Sequence, residues 1–95
     1  MAILDKVKKS LGKTGDSRDD DIRSVIAAAK KDLRIKGVEL VQEQDPMTER
    51  AIIQYCRAWY NFQGDGERYQ KAYEQMANAM ALDIDYSEEF GGLPV

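Results

Sequence analysis

Histidine is missing from this sequence, and cysteine occurs once, as Cys56. A nucleophilic triad needs a base held against its nucleophile, and a zinc site usually needs several His or Cys ligands, so both chemistries are removed. A lone cysteine excludes a disulfide framework and favours a reducing, intracellular setting; on an apolar stripe, Cys56 is expected to be buried and inert. No apolar run approaches the roughly 20 residues that span a bilayer, and the amino terminus has no signal-peptide core, so no membrane partner is expected. Cationic excess is lacking too. A formal charge of -3 argues against general nucleic-acid binding, which draws its affinity from cations placed against phosphates. Gly64 and Gly66 lie between two expected helices and follow no strand, so they match neither phosphate-loop pattern. The stretch from Asp16 to Asp21 has the composition of a calcium loop without its register, and helix capping explains it better. No acidic residue falls on an apolar stripe where burial would raise its pKa, so catalysis is not expected, and neither is a metal or cofactor.

What the 95 residues do contain, 43% of them hydrophobic and 33% charged, is enough apolar surface for one small core. The clearest organisation runs from Asp45 to Met80. Asp45 as N-cap and Pro46 as first helical residue form an asymmetric start signal, because proline presets φ where no backbone donor is needed. Ala51, Ile52, Tyr55, Cys56 and Trp59 then recur at helical spacing, with Glu49, Arg50, Gln54 and Arg57 filling much of the opposite arc. After a Gly-Asp-Gly turn, Tyr69, Ala72, Tyr73, Met76 and Met80 form a matching stripe, so the short connection predicts an antiparallel helical hairpin.

Two helices precede the hairpin. Ile3, Leu4, Val7 and Leu11 line one side of a short helix from Ala2 to Leu11, opposite Lys6, Lys8 and Lys9, and Gly12 ends it. Packing on the domain suits it better than a membrane surface, since an isolated helix this short is marginal in water. The second runs from about Ser17 to Lys36, with Ile22, Val25, Ile26, Ala29 and Leu33 on its apolar face and Gly37 as the stop. Asp19, Asp20 and Asp21 sit at its head; Lys30, Lys31, Arg34 and Lys36 crowd its last turns. The helix macrodipole accounts for that arrangement. The same arrangement suits a head-to-tail ring, in which Asp19, Asp20 and Asp21 of one copy face Lys30, Lys31 and Arg34 of the next.

The segment Val38 to Gln44 is too short for a domain boundary and longer than the turn of a DNA-reading helix pair. Residues 1–82 therefore read as one helical domain, with 83–95 as a flexible acidic tail. The expected fold is all-α, a small four-helix bundle with a long antiparallel hairpin. Its core is expected to include Ile22, Ile26, Leu33, Ile52, Cys56, Trp59, Tyr69, Tyr73 and Met76. Trp59→Ala is expected to cost about 3 to 5 kcal/mol. In the tail, Ile84, Tyr86, Phe90 and Leu93 are costly to leave solvated, so the segment either orders on a partner or folds back on its own bundle.

The order of these pieces, LDKVKKSL, DDDIRSVIAAAKKDL, DPMTERAIIQYCRAWYNF and ERYQKAYEQM, resembles the phage head-tail connector proteins of tailed bacteriophages and prophages. The resemblance covers Leu4 to about Leu82 and rests on Asp45, Pro46, Ala51, Tyr55, Ala58, Tyr69 and Tyr73. It implies a non-enzymatic adaptor of the virion head-tail junction, made in the bacterial host cytoplasm. Such an adaptor forms a ring of about twelve copies below the portal protein and continues the DNA exit channel. It also implies a downstream tail-completion or stopper protein as partner, and DNA that passes through without specific binding. The carboxy-terminal segment would reach the portal, with Ile84, Tyr86, Phe90 and Leu93 as its anchors. The competing reading is a small helical interaction or regulatory module that binds protein or DNA without forming a ring.

Overall fold

Asp45 and Pro46 begin the helix on which the rest of the chain packs. In the computed structural model, which describes residues 2–86, that helix is α3 (Pro46–Trp59); α1 (Ile3–Ser10) and α2 (Asp19–Ile35) precede it and α4 (Gly66–Ala81) follows. Single 3-10 turns occur at Phe62–Gly64 and Ile84–Tyr86, and there is no strand among the described residues. The all-α bundle expected from helical spacing is the fold observed. α3 packs on each of the other three helices, most extensively on α4.

The helix ends follow from particular residues. Asp45 Oδ2 accepts a hydrogen bond from the Thr48 backbone N–H at 2.9 Å and another from the Thr48 hydroxyl at 3.1 Å. That pairing satisfies an end donor of α3 and the hydroxyl of Thr48, a fully buried polar side chain. At the end of α2, Gly37 takes φ +107°, its N–H donates to the Arg34 carbonyl at 3.1 Å, and the Val38 N–H donates to the Leu33 carbonyl at 2.9 Å. This is a Schellman stop, with Val38 and Leu33 both fully buried as its apolar contact.

The hairpin connection is longer than the Gly-Asp-Gly turn expected. The chain turns at Asn61, which is left-handed at φ 48°, and Gly66 already belongs to α4. Asn61 Oδ1 accepts from the Gly66 N–H at 2.9 Å and so caps α4. A Cβ on Gly66 would stand 2.6 Å from that same oxygen and 3.2 Å from the Ala58 carbonyl, so a larger residue here would have to displace the Asn61 cap.

Val7, Ile22, Leu33, Val38, Ile52, Cys56 and Met80 are all but inaccessible, and Ile26, Tyr69 and Tyr73 are buried beside them. Two expected core residues are not in it. Trp59 is 62% exposed, although it lies on the same stripe as Ile52 and Cys56. It is the last residue of α3, and its ring stacks on Tyr55, one turn back, with centroids 6.3 Å apart. Periodicity gave its direction but not its depth. Met76 is half-buried, and Ala77 takes the inner position one residue on, because α4 presents Tyr69, Tyr73, Ala77 and Met80 to the core. Ile53, assigned to neither arc, is buried as well, since α3 is covered from several sides.

Unequal losses on truncation test this core. Ile52→Ala costs about 2 to 5 kcal/mol because it leaves a cavity around a fully buried side chain. Trp59→Ala stays below about 1 kcal/mol, as expected of an exposed position. Urea denaturation of the two variants measures both, and equal losses would place Trp59 in the core.

Candidate interaction surfaces

Three tyrosine hydroxyls lace the helices together, each donating to an aspartate far away in sequence. Tyr60, just past α3, donates to Asp21 at the head of α2; Tyr73 of α4 donates to Asp32 of α2; Tyr86 donates to the α3 cap Asp45 at 2.7 Å. Burial, then the hydrogen bond to the carboxylate, raises the pKa of all three phenols, and Tyr86 is pushed up to about 12. Burial opposes ionisation of Asp45, but the bonds from the Thr48 N–H, the Tyr86 hydroxyl and the Thr48 hydroxyl outweigh it and hold the carboxyl below its usual range. Cys56 is fully buried, and burial pushes its thiol up to about 12, far from a reactive thiolate.

The charges singled out for a ring interface are largely engaged within the chain. Asp19 pairs with Lys8 of α1 at 2.8 Å, Asp21 accepts from Tyr60, and Lys30 pairs with Glu43 in the α2–α3 connection. Asp20 is fully exposed and contacts Arg23 at 3.4 Å. Lys31 and Arg34 are exposed and enter no ion pair among the described residues. The structure therefore brings the acidic head of α2 against α1 and the end of α3, and leaves the basic end more open.

The expected portal-docking residues divide in two. Phe90 and Leu93 lie outside the described residues. Ile84 opens the last 3-10 turn, and Tyr86 closes it against its own bundle. The Tyr86 carbonyl accepts from the Glu39 and Leu40 N–H groups at 2.9 Å each, in addition to the hydroxyl bond to Asp45. As far as Tyr86, then, the segment folds back on its own bundle, one of the two expected alternatives, because the Tyr86 hydroxyl finds the carboxylate already fixed at the head of α3.

Exposed apolar surface lies elsewhere. Ile35, Met47, Trp59 and Leu82 are the large apolar side chains exposed among the described residues. Trp59 borders a groove of about 300 Å³ between α2, α3 and α4, lined also by Tyr55, Tyr73, Asp32, Lys36 and Glu74. Tyr55 stands edge-on to Tyr73 with centroids 5.1 Å apart, so three aromatic rings form one wall. Sequence reasoning placed Trp59 inside and therefore missed this surface; its position at the very end of the apolar run was the available signal. Among the described residues no group of His, Cys, Asp and Glu is placed to hold a metal ion, and no helix is long and apolar enough to cross a membrane.

A family model described as phage connector protein matches residues 3–87, a span that contains all four helices. No curated protein and no solved structure matches the chain.

The tyrosine–aspartate bonds give stability a defined pH window. The raised phenol pKa of Tyr86 contributes stability that is full below the ordinary value of 10.0 and is lost as pH rises through about 12. Tyr60 and Tyr73 act in the same direction. The lowered carboxyl of Asp45 contributes stability above its ordinary 3.8 that is lost on further acidification. Thermal melting across pH is expected to show a plateau between those limits, and Tyr73→Phe to flatten the alkaline fall. An alkaline limb unchanged by that variant would contradict this assignment.

Proposed function

Because this chain belongs to the phage connector family, we propose that it is the head-tail adaptor of a tailed phage or prophage. The family is one of structural phage proteins, so the chain is a connector component of the virion. On our reading, copies of it form a ring of about twelve beneath the portal and extend the DNA exit channel toward a downstream stopper or tail-completion protein. The observation that carries the reading is the family match itself, which runs through every helix of the bundle.

Two further features support it. A head-to-tail ring needs two different adhesive surfaces on one subunit, and the chain exposes apolar side chains both at the Trp59 groove and at Ile35, Met47 and Leu82. Asp20, Lys31 and Arg34 remain the charges available to set subunit order, each worth little by itself. The net charge of -3 suits a channel through which phosphates must slide without being held. Of the residues proposed as portal anchors, Phe90 and Leu93 keep that role, while Tyr86 is committed to Asp45. DNA is a passing partner, and no membrane is involved in the proposal.

Electron microscopy of this chain mixed with a portal ring from the same phage tests the proposal. Closed rings seated on the portal are expected, and truncation after Tyr86 is expected to abolish seating while leaving helicity intact. Failure of the full chain to bind the portal or to form rings in its presence would overturn the adaptor reading.

A further inference from the structure

One cation of this chain already sits against an aromatic ring of the Trp59 groove. The Lys36 ammonium lies 6.0 Å from the Tyr73 ring centroid, the outer reach of a cation–π contact, and 3.4 Å from Asp32 Oδ2. Asp32 is engaged twice, because it also accepts the Tyr73 hydroxyl. The second carboxylate of the groove is not so engaged. Glu74 is exposed, accepts from Gln70 at 3.4 Å and enters no ion pair among the described residues. Two carboxylates against one ammonium leave the groove with a negative charge in excess, in company with the stacked rings of Tyr55 and Trp59. An exposed indole and a free carboxylate in one groove are suited to a guanidinium or an alkylammonium: the rings attract the cation, its stem covers apolar surface, and the carboxylate pairs with its charge.

The chain carries such a side chain on the far side of α3. Arg50 precedes Trp59 by nine residues, about two and a half helical turns, so the two leave the helix in opposite directions. Arg50 is exposed and enters no ion pair among the described residues. Met47, one of the large apolar side chains exposed among the described residues, lies next to it, three residues back on the same side of the helix. A thioether and a guanidinium both favour aromatic rings, so Met47 and Arg50 together complement the groove. Within one chain the two surfaces cannot meet. Between copies they can, each copy giving on one side of α3 and receiving on the other, head to tail. Lys31 and Arg34 are the competing cations, but they stand on α2 with Asp32, beside the groove itself. Their use would set two grooves face to face and close a two-fold pair.

We propose that the Trp59 groove is a receptor for a cationic side chain, that its occupant is Arg50 of a second copy with Met47 against the indole, and that Lys36 is a placeholder which the incoming guanidinium displaces from Tyr73. The rings supply the adhesion; Glu74, worth little as an exposed pair, sets the register. The inference rests on the ring reading above. It adds a binding site, the side chain that fills it, and an internal competitor that keeps free copies apart until their local concentration is high.

The test is self-association of the full-length chain by sedimentation velocity, alone and with a portal ring from the same phage. Trp59 is the one tryptophan of the sequence, so its emission reports on the groove directly. In the unaltered chain, association and a shift in emission are expected to rise together with concentration. Arg50→Gln is expected to weaken association about tenfold and to abolish the shift, and Glu74→Gln to weaken it about threefold. The two changes combined are expected to be no worse than Arg50→Gln alone; additive losses would mean that the two side chains do not meet, and would overturn the pairing. Lys36→Met is expected to tighten association about threefold, as removal of a competitor does. No gain, or a loss, would overturn the placeholder. Rings that form unchanged with Arg50→Gln and with Trp59→Ser would overturn the contact and leave the ring reading standing. Two-fold dimers lost on Arg34→Gln but kept on Arg50→Gln would make α2 the donor and overturn the occupant. Portal binding lost on Trp59→Ser while self-association persists would mean that the portal covers the groove, and the proposal fails. No association of the unaltered chain, alone or on the portal, would remove the ring reading and this site with it.

Discussion

The burial of α3 is the constraint on which the rest of this structure depends. α1, α2 and α4 each pack on it, so its apolar surface cannot be a narrow stripe. Thr48, Ala51, Ile52, Ile53 and Cys56 are all buried, and together they span rather more than half of the helix circumference over its first three turns. Such a helix has no independent stability in water, and each neighbour is stable because the others hold α3 in place. The cap at Asp45 matters for the same reason. It fixes where α3 starts and thus the depth at which every one of those side chains meets its neighbours.

Polar bonds at the edges of the core fix the angles that apolar packing leaves loose. Lys6 pairs with Glu49 at 2.6 Å between α1 and α3, Lys8 with Asp19 at 2.8 Å between α1 and α2, and the tyrosine–aspartate bonds join α2 to α3 and α4. Arg57 adds a link of another kind: its guanidinium lies 5.2 Å from the Phe62 ring centroid and 5.3 Å from that of Tyr69, and it reaches the Ser10 carbonyl at 3.4 Å. Exposed ion pairs contribute little to stability one by one. Half-buried phenol–carboxylate bonds are directional, and that makes them suited to holding a helix against rotation about its axis.

Much of the fold was legible in the sequence because its signals are local. Asp45 and Pro46 announce the start of α3, Gly12 and Gly37 the ends of α1 and α2, and the spacing of Ile22, Val25, Ile26, Ala29 and Leu33 the inner face of α2. What stayed hidden depends on how the helices cross. A tyrosine on an apolar stripe is read by its ring, whereas its hydroxyl partner, about 40 residues away for Tyr60, Tyr73 and Tyr86, is set by tertiary geometry. The exposure of Trp59 follows the same logic, since a helical period does not say where a neighbouring helix stops covering. The charges of α2 have partners that the sequence did not show: Asp19 meets Lys8 of α1, Asp21 meets Tyr60 and Lys30 meets Glu43.

That internal use of charge changes what can hold copies of this chain together. With Asp19, Asp21 and Lys30 already engaged, an interface built on the remaining exposed charges would gain only fractions of a kcal/mol per pair, and salt would erase much of it. Any contact between copies would then have to be largely apolar, and the large apolar side chains exposed among the described residues are Trp59 at its groove and, apart from it, Ile35, Met47 and Leu82. Two unlike apolar surfaces on one subunit would suit a heterologous contact, the geometry that the proposed ring requires.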